Sequence, residues 1–188
     1  MAEKGFTDTD KGMKKALEEM KKLGKMWAKV GWPDNGDSNS DGVRLAQIAA
    51  INENGATSTN NVLKKGKVWV LPPRPFLSQA IDNNEEQEKI TEEKLVKQMF
   101  DGKIDAKTVM RLLCENRINN IKNSIKNGNF APNSEITING IIGKDGKVFI
   151  RGKKSTKPLV NTGMMRDALC YQIFEGNAMV EEGGKKPG

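Results

Sequence analysis

Apolar positions along the chain switch between the three-to-four spacing of a helix face and the alternation of a strand, and the switches fall at Gly, Pro and Asn. Met13, Leu17 and Met20 recur at helical spacing, with Asp8 or Thr9 placed to cap and Gly24 to stop, so a first helix is expected to about Leu23. Residues 26–32 then alternate as a short strand through Trp27, Ala28 and Val30, and residues 31–42 read as a polar turn. Leu45, Ile48, Ala49 and Ile51 form the stripe of a short helix that Asn54-Gly55 ends, followed by a second polar loop.

Residues 68–71 read as a strand, after which Pro72, Pro73 and Pro75 force an extended approach to a long helical region, 75–127. Phe76, Leu77, Ala80 and Ile81 open that region, and Leu95, Val96, Met99 and Phe100 resume its pattern. Asp101-Gly102 breaks it. From Asp105 onward, Met110, Cys114, Ile118, Ile121 and Ile125 give the clearest amphipathic helix of the chain, ending at Asn127-Gly128-Asn129. Ile141-Ile142 and Val148-Phe149-Ile150 flank Asp145-Gly146, a hairpin signal. Thr162 is placed to cap a last short helix before a strand at 171–174, and the Gly- and Lys-rich residues 181–188 read as a flexible tail. The fold class expected is α+β, with a small, mostly antiparallel sheet packed with several helices in a single domain over 1–180.

Composition narrows the chemistry. The chain has 188 residues, 36% of them hydrophobic, a length that suits one domain with a modest core. It contains no His, which removes Ser-His and Cys-His catalysis and most zinc sites, so neither an enzyme nor a cofactor is expected. Cys114 and Cys170 lie far apart and read as buried thiols. There is no apolar signal core and no run of about eighteen apolar residues, so a soluble chain made in the cytosol, with no membrane partner, is expected.

The formal net charge of +7 favours an acidic partner surface or nucleic acid. It is unevenly spread. Residues 82–101 hold seven acidic and three basic residues and residues 140–170 seven basic and two acidic, a segregation that suits head-to-tail packing of copies as well as two independently solvated faces. The run Arg151, Lys153, Lys154 and Lys157 offers phosphate contacts or a wet loop. Asp37-Ser38-Asn39-Ser40-Asp41-Gly42 begins like a calcium loop, but position twelve is Ile48, so no metal is expected. Gly143-Lys144-Asp145-Gly146-Lys147 lacks phosphate-loop spacing and reads as the hairpin turn. Glu85, Glu86, Glu92 and Glu93 lack an apolar setting for acid/base work. Trp27, Trp32 and Trp69, near Lys25, Lys29 and Lys67, suit a core or subunit interface better than a base-stacking platform.

Three stretches carry a family resemblance. They are Val30-Gly31-Trp32 with Ile51-Asn52-Glu53-Asn54-Gly55-Ala56, then Leu71-Pro72-Pro73-Arg74-Pro75-Phe76-Leu77, then Lys157-Pro158-Leu159-Val160-Asn161-Thr162-Gly163-Met164-Met165-Arg166-Asp167-Ala168-Leu169. Asn133-Ser134 with Thr137 stands where a short Pro-, Ser- and Thr-rich helix is found in such proteins. In order and spacing these resemble the virion-morphogenesis or tail-completion proteins in the neck of long-tailed bacteriophages. The resemblance implies a neck-protein domain that forms a homo-oligomeric ring, six-fold or twelve-fold, and joins the DNA-filled head to the tail. Its partners would be portal-side connector proteins, tail tube or sheath proteins and DNA in the channel, and its place the virion, assembled in the host cytoplasm. The residues expected at interfaces or facing DNA are Arg74, Phe76, Arg151, Lys153, Lys154, Lys157 and Arg166, with Arg74 a bidentate donor for a carboxylate. The alternative is a sequence-independent nucleic-acid-binding module using the same basic loop.

Overall fold

The computed structural model describes residues 11–33, 42–59, 68–143, 145–159 and 163–184. The expected Asp8/Thr9 cap, the half calcium loop up to Asp41, Lys67, Thr162 and residues 185–188 lie outside the described residues, as does the side chain of Trp69. The fold is α+β. In chain order its elements are α1 (Lys11–Leu23), β1 (Met26–Gly31), α2 (Leu45–Asn54), β2 (Ala56–Thr59), β3 (Val68–Leu71), α3 (Phe76–Asp82) and α4 (Glu85–Phe100). They continue as α5 (Ala106–Asn127), α6 (Glu135–Asn139), β4 (Gly140–Ile142), β5 (Val148–Arg151), α7 (Met164–Asp167), β6 (Cys170–Glu175) and β7 (Ala178–Gly183).

Helix α5 is the spine. Cys114, Ile118, Ile121 and Ile125 are buried at the expected steps and pack with Phe76 and Ala80 of α3, Met165, Leu169, and Tyr171 and Ile173 of β6 in the main core. The three-stranded antiparallel sheet runs β1-β6-β7 and lies against α5 through Ala28 and Val30 as well. A smaller core joins Leu95 and Met99 of α4 to Ala106 and Val109 at the other end of α5. Asp105 caps α5 by accepting from the Thr108 N–H at 2.8 Å, and Gly102, at φ 72°, makes the turn between α4 and α5. Asn83 and Asn84 divide the expected long helix into α3 and α4, with the Asn84 amide donating to the Ala80 carbonyl at 2.8 Å.

Three expectations are corrected. On α1 the Met13, Leu17 and Met20 stripe faces outward, and the packed face is Ala16 with Glu19, whose carboxylate accepts from the Ala106 N–H at 2.9 Å and from Lys22 at 2.6 Å. The packing requirement at that contact is polar, a cap for α5, and hydrophobic periodicity does not register it. The polar loop after Gly55 contains β2, paired antiparallel with β3. Finally, the tail does not begin at 181. Strand β7 runs to Gly183, Glu181 pairs with Lys107 at 3.2 Å and accepts from the Tyr171 hydroxyl at 3.2 Å. The glycines are there because the backbone passes close over the core: a Cβ on Gly183 would lie 2.5 Å from the Tyr171 hydroxyl, and one on Gly184 2.6 Å from Ile118.

Candidate functional site

Asn52, Ala131, Pro132 and Asn133 meet at one buried guanidinium, that of Arg74. Pro72, Pro73 and Pro75 hold the chain extended between β3 and α3, and Arg74, 4% exposed, turns inward from that stretch. Its Nε donates to the Ala131 carbonyl at 3.1 Å, Nη1 to Asn52 Oδ1 at 3.3 Å, and Nη2 to Asn133 Oδ1 at 3.0 Å and the Pro132 carbonyl at 3.4 Å. The backbone is stitched alongside, Arg74 N–H to Asn52 C=O at 2.7 Å. The expected carboxylate partner is absent among the described residues. Neutral oxygens satisfy the fork instead, and desolvation lowers the Arg74 pKa below the usual arginine value.

Two further contacts lock this hub to its surroundings. The first four N–H groups of a helix have no partner within it, and Glu53 serves those of α3 from a different element: its carboxylate accepts from the Leu77 N–H at 2.8 Å and from the Ser78 N–H at 3.0 Å and hydroxyl at 2.7 Å. Gly55 has φ 73° and ψ 174°, a conformation nearly restricted to glycine, and a Cβ there would stand 2.7 Å from the Leu71 carbonyl and 2.9 Å from Pro73 N. Phe76 is fully buried beneath the hub, and Trp32 meets it edge-on, ring centroids 6.1 Å apart, while donating its indole N–H to the Met165 carbonyl at 2.7 Å.

From the hub, Asn133 reaches the basic loop. Its Nδ2 donates to the Ser155 and Lys157 carbonyls, both at 3.0 Å. The loop is also tied to α6, with Lys153 N–H donating to Thr137 C=O at 2.8 Å and Lys154 N–H to Ile138 C=O at 3.0 Å. Gly152 permits that approach, since a Cβ would fall 2.4 Å from the Ile138 carbonyl oxygen. Arg151, Lys153, Lys154 and Lys157 are thereby held at the surface, and none of their side chains has an ion-pair partner among the described residues. Desolvation first and the Arg74 charge second lower the Lys153 pKa, although that residue as a whole is exposed.

Of the expected site residues, the structure links Arg74 to the Lys157 backbone through Asn133, ties Lys153 and Lys154 to α6 and places Arg151 at the start of the same loop. Arg74 and Phe76, expected at an interface or facing DNA, are themselves buried at 4% and 0% exposure because they fill the hub and the core beneath it. Arg166 does not join them; it pairs with Asp167 on α7 at 2.9 Å. Asn52, Glu53 and Asn133 stand in the sequence only as parts of longer phrases, and no local spacing marks them as reaching beyond their neighbours. Trp27 and Trp32 do not share a platform: Trp27 stacks on Phe174 at 4.2 Å on the outer sheet face, with Lys29 5.5 Å from its ring centre, whereas Trp32 serves the core.

Among the described residues no group of three or more His, Cys, Asp or Glu could hold a metal ion, and no helix is long and apolar enough to cross a membrane. Cys114 lines an apolar cleft between β1, α3 and α5, and burial pushes its thiol up to about 11, which keeps it neutral. Compared with known proteins, the chain matches no family model, no curated protein and no solved structure.

Proposed function

We propose that this chain is a structural subunit of a tailed-bacteriophage virion, without catalytic activity, that assembles as a homo-oligomeric ring in the neck and takes part in joining head connector to tail. The observation that carries this reading is the convergence of the resembling stretches. Residues far apart in sequence, Asn52, Glu53, Gly55, Arg74, Phe76, Asn133 and Lys157, interlock through the contacts of one hub, and every contact positions chain without presenting a reactive group. Such hardware suits a subunit that must offer a rigid surface to neighbours. Electron cryo-microscopy of particles carrying this chain tests it: ring density at the head-to-tail junction supports the reading, and absence of the chain from intact particles ends it.

A second reading, a sequence-independent nucleic-acid-binding module, is favoured by the four surface cations of residues 151–157. It requires DNA affinity that falls steeply with salt. A ring held mainly by apolar contacts would persist across the same salt range.

A further inference from the structure

The hairpin β4–β5 has α6 on one side, yet its register partners Ile142 and Val148 stand 64% and 57% exposed. Cations continue the same segment: Arg151 closes β5 opposite Gly140, and Lys153, Lys154 and Lys157 follow in the loop held by Asn133. The outward row of α4 has an apolar centre between acidic residues. Glu86, Ile90 and Glu93 succeed one another at helical spacing, and Ile90 is 52% exposed. Glu86, Glu92 and Glu93 have no ion-pair partner among the described residues, whereas Glu85 is paired with Lys89, and Glu88 with Arg117.

Within one chain these two surfaces are not paired with each other. Helix α4 runs along the first two thirds of α5, with Met99 at Val109 and Glu88 at Arg117 and Asn120. The basic loop is tied to Asn133, beyond the far end of α5, and at 1.5 Å per residue about 10 Å of helix separates Asn120 from Asn127 before the hub begins. Two apolar centres beside charges of opposite sign, displaced along one subunit, are complementary between subunits. A contact between unlike patches is heterologous, and it generates a ring where its rotation closes after a whole number of copies and an open filament where it does not.

We infer that the β4–β5 hairpin and basic loop of one copy dock on the Glu86-Ile90-Glu93 face of α4 in a second copy. The occupant of each surface is thus the same chain, and the inference rests on the ring reading above while naming its contact faces. Lys153 gains the counter-charge that its own subunit does not supply.

Charge reversal in the full chain tests the docking. Glu86→Lys with Glu93→Lys, and separately Arg151→Glu with Lys154→Glu, alter exposed side chains, and circular dichroism with thermal melting checks that each variant is folded. By sedimentation, each variant alone should lose about tenfold or more in self-association, and an equimolar mixture of the two should recover it, because the reversed patches complement one another. Native-like association of either variant alone, or a mixture that fails to recover, overturns the inference and leaves the ring reading standing. A native chain monomeric to millimolar concentration also overturns it, while the ring reading falls only if the particle lacks the chain. If the loop variant keeps its self-association and instead loses binding to a short DNA duplex, the loop belongs to DNA and the inference fails.

Discussion

Replacing Arg74 by Met keeps an unbranched apolar stem in place but removes all four side-chain hydrogen bonds of the hub. Two of these, at 3.0 and 3.1 Å, have ordinary length, and two, at 3.3 and 3.4 Å, are long. A hydrogen bond to a charged group contributes about 1.5–3 kcal/mol, and the orphaned Asn and carbonyl oxygens remain buried, so the two ordinary bonds set a loss of roughly 3–6 kcal/mol. Removing the cation also removes its desolvation cost, which places the expected loss near the lower bound, about 3 kcal/mol. For a chain of this size that corresponds to roughly 6–12 °C in Tm. Urea unfolding with m held constant measures the loss. Arg74→Lys restores the charge without the fork and should recover less than half of it. Hydrogen exchange supplies the local readout: the Lys153 and Lys154 amides, held by Thr137 and Ile138, should lose protection in Arg74→Met because Asn133 no longer anchors the loop. A stability loss below about 1 kcal/mol, or unchanged protection at those two amides, would refute the reasoning.

Gly55→Ala should cost about 2–4 kcal/mol, since it combines an unfavourable φ with a Cβ 2.7 Å from the Leu71 carbonyl; a loss under 1 kcal/mol in urea melts would show that the turn relaxes freely. Glu19 has its pKa lowered, first by the Ala106 N–H and then by Lys22. Its contribution is therefore complete above the ordinary carboxylate value and is lost as pH falls through the lowered folded value. Glu19→Gln should destabilise by about 1 kcal/mol at neutral pH and match the native chain in acid, and a pH-independent difference would contradict the cap. Cys114, raised to about 11, should react with a thiolate-directed reagent at pH 8 about 100-fold more slowly in the folded chain than in urea. Rates within tenfold of each other would place the thiol in contact with solvent.

Periodicity located the elements whose partners are apolar. The α5 stripe from Cys114 to Ile125 is buried as spaced, because a helix packed on a sheet and a second helix must repeat its apolar face at each turn. The same rule misread α1, where the packing contact is a carboxylate capping another helix and the apolar row faces outward. It also missed β7, where Ala178, Met179 and the glutamates carry little β signal and the strand exists because β6 offers an edge to pair with. Composition then compounded the error, since glycines required by close passage over Tyr171 and Ile118 look like a linker. At the candidate site, the charged loop was legible as a run of cations, whereas its anchor was not. Asn133 acts through bonds to residues 59 positions before it and 22 and 24 after it, and no local pattern records such distances.

The chemistry of the anchor bears on what the loop does. A buried arginine is ordinarily neutralised by a carboxylate, and such a pair would cancel its field at the surface. Here the fork is satisfied by two amide oxygens and two carbonyls, so the hydrogen-bonding demand is met while the positive charge is left intact. That charge is felt at Lys153, whose pKa is lowered first by desolvation and then by Arg74. A loop meant only to be wet would gain nothing from a rigid base, and a purely structural arginine would be more stable with a counter-ion. Rigid placement together with uncompensated charge is what a surface needs when its counter-charge arrives on another molecule.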